Sequence, residues 1–225
     1  MEIEERSKAA ILGRIRAAIR PAGKALADDA GAGAAWASIV REYRSEGAGN
    51  RAEVLEKLID RLRDYDAQVV VCAPERVTDN VAAMLAKRGV RRLVVPEGMP
   101  AEAMPAGFEF VVDAGSSASE LDAFDGVVTL CTVGIAETGT LVLQRVPGQG
   151  RRALSLVPDY HLCVVDVADV VATVPEGMAR LAATAGLATT FISGPSATAD
   201  IEMTRIKGVH GPRSLDVLLV TDQRF

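Results

Sequence analysis

Leu187-Ala188-Thr189-Thr190-Phe191-Ile192 leads into Ser193-Gly194-Pro195-Ser196-Ala197-Thr198-Ala199-Asp200-Ile201-Glu202, and the order of these residues decides the fold class. An apolar run of strand length is followed by a turn of small residues and then by a helix-compatible segment. That succession is where α/β proteins present backbone N–H groups to an anionic ligand. Gly194 and Pro195 fit a tight turn with proline near the first helical position. Ser193, Ser196 and Thr198 bring three hydroxyls to the expected helix start, where one cap would suffice. Asp200 and Glu202 suit the positive end of the helix dipole. The lysine and spacing of a Walker A loop are absent.

Upstream, the strands expected over 68–73, 92–95 and 108–113 are continuous Val, Leu and Ile runs, the mark of strands covered on both faces. Between them fall helical segments at 78–88 and, shorter, near 117–122. A further helix opens at Asn50, with Glu53 as capping-box partner and Val54, Leu55, Leu58, Ile59 and Leu62 as its apolar face. These read as βαβ units of a mainly parallel sheet. In the second half the apolar runs 126–131, 140–144, 153–157 and 161–166 stand too close for intervening helices, so antiparallel pairs are expected. A helix near 173–185 starts with Thr173 and Glu176 as a capping box and Pro175 in its first turn, and the last strand is expected at 215–221. The reading is a three-layer α/β/α sandwich around a mixed, mostly parallel sheet.

Residues 3–20 carry Ile11, Ile15, Ala18 and Ile19 at helical spacing. The stretch Pro21–Ala35 has little pattern and reads as a flexible linker. Two parts follow: a helical arm with linker over 1–35, and one domain over 36–225. The arm either docks on a partner subunit or is a loosely held terminus, and assembly with copies of itself stays open.

Composition narrows the function. The chain has 225 residues, 49% of them hydrophobic, and a net charge of −5. Its 25 basic residues are scattered and aromatics are only 4%, which argues against a nucleic-acid partner. No apolar run reaches the roughly 18 residues of a membrane span. The start mixes Glu2, Glu4 and Glu5 with Arg6, Lys8, Arg14 and Arg16 and has no apolar core of a secretory signal, so the expected compartment is the cytoplasm. Cys72, Cys131 and Cys163 each sit in an apolar run, far apart in sequence, and read as buried thiols. An iron–sulfur cluster held by this chain alone needs about four clustered ligands. Two histidines and no Cys/His cluster give no metal site.

Two more constellations stand out. Ala136-Glu137-Thr138-Gly139-Thr140 lies between two strands; hairpin chemistry explains Thr138-Gly139, but not the neighbouring carboxylate and hydroxyls. Glu137 is a candidate nucleophile or base. Gly208-Val209-His210-Gly211-Pro212 places a histidine among glycines in a loop, a candidate acid, base or donor. His161 opens a strand and reads as structural. The loop Pro147-Gly148-Gln149-Gly150-Arg151-Arg152 offers guanidiniums that suit a carboxylate or phosphate, or simply solvent.

With Gly134-Ile135-Ala136-Glu137-Thr138-Gly139-Thr140-Leu141-Val142, Ser193–Glu202 and Gly208–Pro212 quoted, the chain resembles the lactate-utilisation protein C family, the LUD domain. The resemblance is strong over 126–222 and rests on element order over 50–125. It implies a NagB/RpiA/CoA-transferase-like fold. It also implies a place beside two iron–sulfur partner subunits in a set that oxidises L-lactate to pyruvate, with no cluster in this chain. The expected function is therefore a non-redox, cytoplasmic subunit that binds a small anionic ligand between the three motifs. The catalytic candidates are Glu137 and His210. The ligand-binding candidates are Thr138, Gly139, Thr140, Ser193, Gly194, Ser196, Thr198, Asp200 and Gly211. By the rule for open α/β sheets, their cleft is expected at the carboxyl ends of the central strands. The alternatives are a stand-alone enzyme of the CoA-transferase or sugar-phosphate-isomerase type, for which Glu137 as nucleophile is analogy alone, and a structural partner whose motif loops form an interface.

Overall fold

The computed structural model describes residues 2–19, 29–198, 206–207 and 211–221. The chain divides into two compact units, Met1–Tyr43 and Arg44–Phe225. The first contains α1 (Glu2–Ile19) and α2 (Asp29–Ala37). The second helix occupies part of the stretch expected to be linker. Its alanines favour helix strongly enough to outweigh two glycines. On α1, Ile11, Leu12 and Ile15 are exposed.

The second unit opens with α3 (Arg51–Asp64), capped by Asn50 and Glu53 in a reciprocal box. It continues with β1 (Gln68–Cys72), α4 (Val77–Arg88), β2 (Arg92–Val95), β3 (Glu109–Val112), α5 (Ala118–Asp122) and β4 (Gly126–Leu130). Next come β5 (Val133–Ile135), β6 (Thr140–Gln144), β7 (Tyr160–Asp166), β8 (Val170–Val171), α6 (Val174–Leu181) and β9 (Thr189–Ile192). The two-residue strands β10 (Ala197–Thr198) and β11 (Ile206–Lys207) precede β12 (Ser214–Val220). The fold is α/β, with a parallel central sheet and helices on both faces.

Six strands form the central sheet in the order β1-β12-β7-β4-β2-β3, with every pair parallel. No two of the runs expected to pair antiparallel do so, since β4 and β7 are parallel neighbours and 153–157 is not a strand; the antiparallel pairs involve other strands. They belong to a second sheet, β8-β5-β6-β9, where β6 runs antiparallel to β5 and to β9. This sheet is built from the connections leaving β4 and β7. β5 and β8 escape a reading by apolar runs because they have only three and two residues.

Burial follows strand alternation. Leu93, Val95, Val128, Leu162, Val164 and Leu218 pack under Val81, Met84 and Leu85 of α4. The residues between them face the opposite way. Cys163, Val165, Val217 and Leu219 meet Leu55, Leu58 and Leu62 of α3 together with Leu141 and Leu143 of the second sheet. Fully burying each such leucine is worth about 1.5–3 kcal/mol. On that same face, Val94 and Val127 pack on Leu121 of α5. Val133, Ile135 and Val142 turn outward under Leu181 of α6.

Two more expectations fail. Residues 153–157 form turns rather than a strand, with Leu154 N–H donating to Arg151 and Val157 N–H to Ala153. Their apolar content serves burial, since Leu154 fills the cluster of Val94, Leu121 and Val127. The helix expected to begin at Gly194–Pro195 is not there either: Ala197–Thr198 is a strand paired with Ile206–Lys207. Among the described residues no helix is long and apolar enough to cross a membrane.

Candidate functional site

The glycines show where the motifs meet. Gly139 adopts a left-handed backbone, φ 61°, and a Cβ there would lie 2.7 Å from Cβ of Arg61 and 3.1 Å from its backbone carbon. Gly194, φ 83°, sits so close to Tyr65 that a Cβ would stand 2.5 Å from the tyrosine Cβ. Only glycine reconciles that dihedral with that approach. Arg61 lies in the last turn of α3, and Tyr65 is its C-cap. Both motifs are therefore pinned to the carboxyl-terminal end of α3.

At that contact three hydroxyls form a series. Thr138 Oγ1 lies 2.7 Å from Thr140 Oγ1, which lies 2.8 Å from Ser193 Oγ. Thr140 is buried, Thr138 half-buried and Ser193 exposed. Three hydroxyls carry three protons, and two bonds within the series use two of them. With Thr140 donating one way and accepting the other, one O–H is left at an end, Ser193 or Thr138. The third motif joins through the backbone. Ser196 N–H donates to Pro212 O at 2.8 Å, and a Cβ on Gly211 would lie 3.7 Å from Cβ of Ser196.

Glu137 turns to a different neighbour. Its Oε1 accepts from Arg44 Nη2 at 2.7 Å, and its backbone N–H donates to Ala172 O. A cavity of about 210 Å³ beside it is lined by Arg44, Glu53, Lys57 and Thr173. Glu176 braces this corner by accepting the N–H groups of Gly47, Ala172 and Thr173. Those bonds, Gly47's foremost, hold its carboxyl below the usual range against the opposing cost of burial. Arg44, Arg61 and Tyr65 are partners that motif reading missed. Their signal is spatial, because they lie far from the motifs in sequence.

The described members of the three motifs thus adjoin one another, but not at the expected edge. α3 ends at Asp64 just before β1 begins at Gln68, which opposes Asp216 near the start of β12. Pro212 stands two residues before Ser214, the first residue of β12. The motifs gather at the amino edge of the central sheet, whereas the sheet rule pointed to the carboxyl edge. The reason is that Glu137–Thr140 and Ser193 belong to connections, not to central strands. Thr198 lies in β10; Asp200 and His210 fall outside the described residues.

The remaining histidine is a core residue. His161 is 1% exposed, and its Nε2 lies 2.7 Å from Thr129 Oγ1. Burial, and then the charge of Arg152, lowers its pKa to about 4. Cys72, Cys131 and Cys163 are buried. Cys131 and Cys163 lie side by side, and the hydrogen-bonding contact with Cys131, followed by burial, pushes the Cys163 thiol up.

The LUD domain family matches residues 55–220. A protein from Deinococcus radiodurans named lactate utilization protein C is 44% identical over 174 residues, covering 76% of this chain and 81% of that one. A protein of the same name from Shouchella clausii is 32% identical over 116 residues, about half of each chain. Among solved structures, a DUF162 family protein from Deinococcus radiodurans superposes with a TM-score of 0.68 at 40% identity, covering 77% of this chain and all of that one.

Proposed function

The chain belongs to the LUD domain family, and from that membership we propose that it is a non-redox component of a lactate-utilisation system that oxidises L-lactate to pyruvate. The observation that carries the reading is the relative sharing 44% identity over three quarters of the chain, whose name is lactate utilization protein C. The electron-transfer chemistry belongs to iron–sulfur partner subunits. Three cysteines dispersed along this sequence are too few for a four-thiolate cluster. The chain works in the cytoplasm.

Its own contribution is to hold a small anionic ligand at the amino edge, where the three motifs adjoin. The hydroxyl series supplies an O–H at the exposed Ser193 or at Thr138, a donor suited to a carboxylate oxygen. Arg44 holds the Glu137 carboxylate beside it. The glycines let the backbone of both motif loops close on α3, which fixes the hydroxyls relative to each other. His210 and Asp200 complete the set proposed from the sequence.

Deleting the gene tests the role. The expected result is loss of growth on L-lactate, retained growth on pyruvate, and rescue by the full chain. Undiminished growth on L-lactate would refute it.

A further inference from the structure

The loop Arg145–Arg152 lies away from the motifs, at the other edge of the central sheet. Gly148 O accepts from Leu130 N–H at the end of β4, and Gly148 N–H donates to Glu97 O just past β2, each at 2.7 Å. Gly148 and Gly150 are left-handed, with φ of 79° and 74°. Side chains there would run into Leu130 and into Leu154 and Pro96. The loop is thus clamped across the carboxyl ends of two central strands.

That clamp shapes two adjoining cavities. The larger, about 680 Å³, lies beyond β2 and β3, between Pro96, Glu97, Gly98, Asp113, Gly115 and Leu154. The connection leaving β2 packs on the α4 face through Met99 and Ala103, whereas the connection leaving β3 packs on the opposite face through Leu121. Adjacent strands whose connections part to opposite faces form a topological switch point, the place where open α/β sheets bind ligands.

The smaller cavity, about 150 Å³, shares Arg145, Gly150 and Arg151 with the larger and adds Arg152, Gln149 and Ser155. Among the described residues no Asp or Glu lines it. A cavity of that volume admits a molecule of about benzene's size, hence a phosphate or a three-carbon acid. Asp113, its side chain 7% exposed, fixes Arg151 by accepting from Nε at 2.6 Å and Nη2 at 3.0 Å. Arg152 Nη1 is held by Ser155. The Arg145 side chain has no partner among the described residues. Gln149, 7% exposed, spends its Oε1 on Gln144 N–H and Thr132 Oγ1, at 2.7 and 2.8 Å. Its amide NH₂ has no partner among the described residues and, not being sealed from solvent, is a donor that a ligand in the pocket can use.

We propose that this pocket binds a small oxyanion, a carboxylate or a phosphate, between Arg145, Arg152 and the Gln149 amide, with Asp113-oriented Arg151 as the third cation. The larger cavity beside it receives whatever body the anion carries. The site stands apart from the amino-edge motifs and does not depend on their role.

The experiment is titration of the full chain with inorganic phosphate, L-lactate and pyruvate separately, followed by calorimetry. At least one should show saturable binding that the pocket arginines control, and the one that responds tells phosphate from carboxylate. Hydrogen bonds to charged groups translate into an expected loss of about ten- to hundredfold in affinity for Arg145→Gln and for Arg152→Gln. Both side chains are exposed, so unchanged melting of the free variants confirms that folding is intact. Arg76→Gln, at an exposed arginine that lines neither cavity, should bind like the parent. No saturable binding by any probe, or arginine variants that bind like the parent, would overturn the proposal. So would loss of binding in Ser193→Ala alone, which would move the anion to the amino edge.

Discussion

The two edges of the central sheet are built on different chemistry. At the amino edge, three neutral hydroxyls stand in series and the loops bearing them are pressed onto α3 at Gly139 and Gly194. At the carboxyl edge, guanidiniums ring a small pocket and the loop bearing them is tied to the ends of β2 and β4. The first arrangement is held by close backbone approach, the second by hydrogen bonds and one oriented ion pair. Substitution should therefore be felt differently at the two edges.

The largest effect is expected from the glycines of the amino edge. Gly139→Ala or Gly194→Ala combines a left-handed dihedral with a clash against Cβ of Arg61 or Tyr65, atoms that cannot swing away. Strain and overpacking each cost about 1–3 kcal/mol, so about 4 kcal/mol in all is expected from denaturant melts. Gly148→Ala at the carboxyl edge meets the movable end of Leu130 and should cost about half as much. Equal losses at both edges would erase the contrast.

Acid comes next. His161 is buried between the edges, with its pKa lowered from 6.5 to about 4. Unfolding therefore takes up a proton between those values. Its contribution is complete above about pH 6.5 and is lost as pH falls toward about 4, roughly 3 kcal/mol over the range. His161→Gln should flatten the slope of stability against pH in that window; an unaltered slope would mean that other groups carry it.

Asp113 gives a smaller effect at lower pH. Arg151 first, then the N–H groups of Ser116 and Gly115, lower its pKa to about 2, so its contribution is present above about 3.8 and lost below. Because Arg151 is partly exposed, Asp113→Asn should cost only about 1–2 kcal/mol at neutral pH. It should also weaken oxyanion binding by loosening Arg151. Binding as tight as the parent's would show that the ion pair does not orient the pocket.

Much of the fold was legible because its signals are local. The boxes at Asn50 and Thr173 were readable from residue types three apart, and both are made. The continuous apolar run at 92–95 announced a strand covered on both faces, and it is largely buried in the parallel sheet; the runs at 68–73 and 108–113, read the same way, form edge strands that are partly exposed. The errors arose where one local signal served two outcomes. The apolar run at 153–157 reports burial, which turns achieve as well as strands. Small residues after Ser193 suit a hairpin ribbon as well as a helix start. The motifs were legible as residues, but their edge was not. It depends on how far the connections from β4 and β7 carry them, a distance that no spacing encodes. Arg44 and Tyr65 were invisible for the same reason, as contacts made only after folding.

The smallest expected change in stability accompanies the sharpest functional test. Thr140 is the middle of the hydroxyl series, and Thr140→Val keeps its shape while removing both links, at a cost of about 1 kcal/mol. The decisive measurement is growth on L-lactate of a deletion strain carrying Thr140→Val, with protein level and melting checked alongside. A folded, normally abundant protein that does not restore growth is expected. Restoration to the parent's rate would contradict a role for the amino-edge hydroxyls in lactate utilisation.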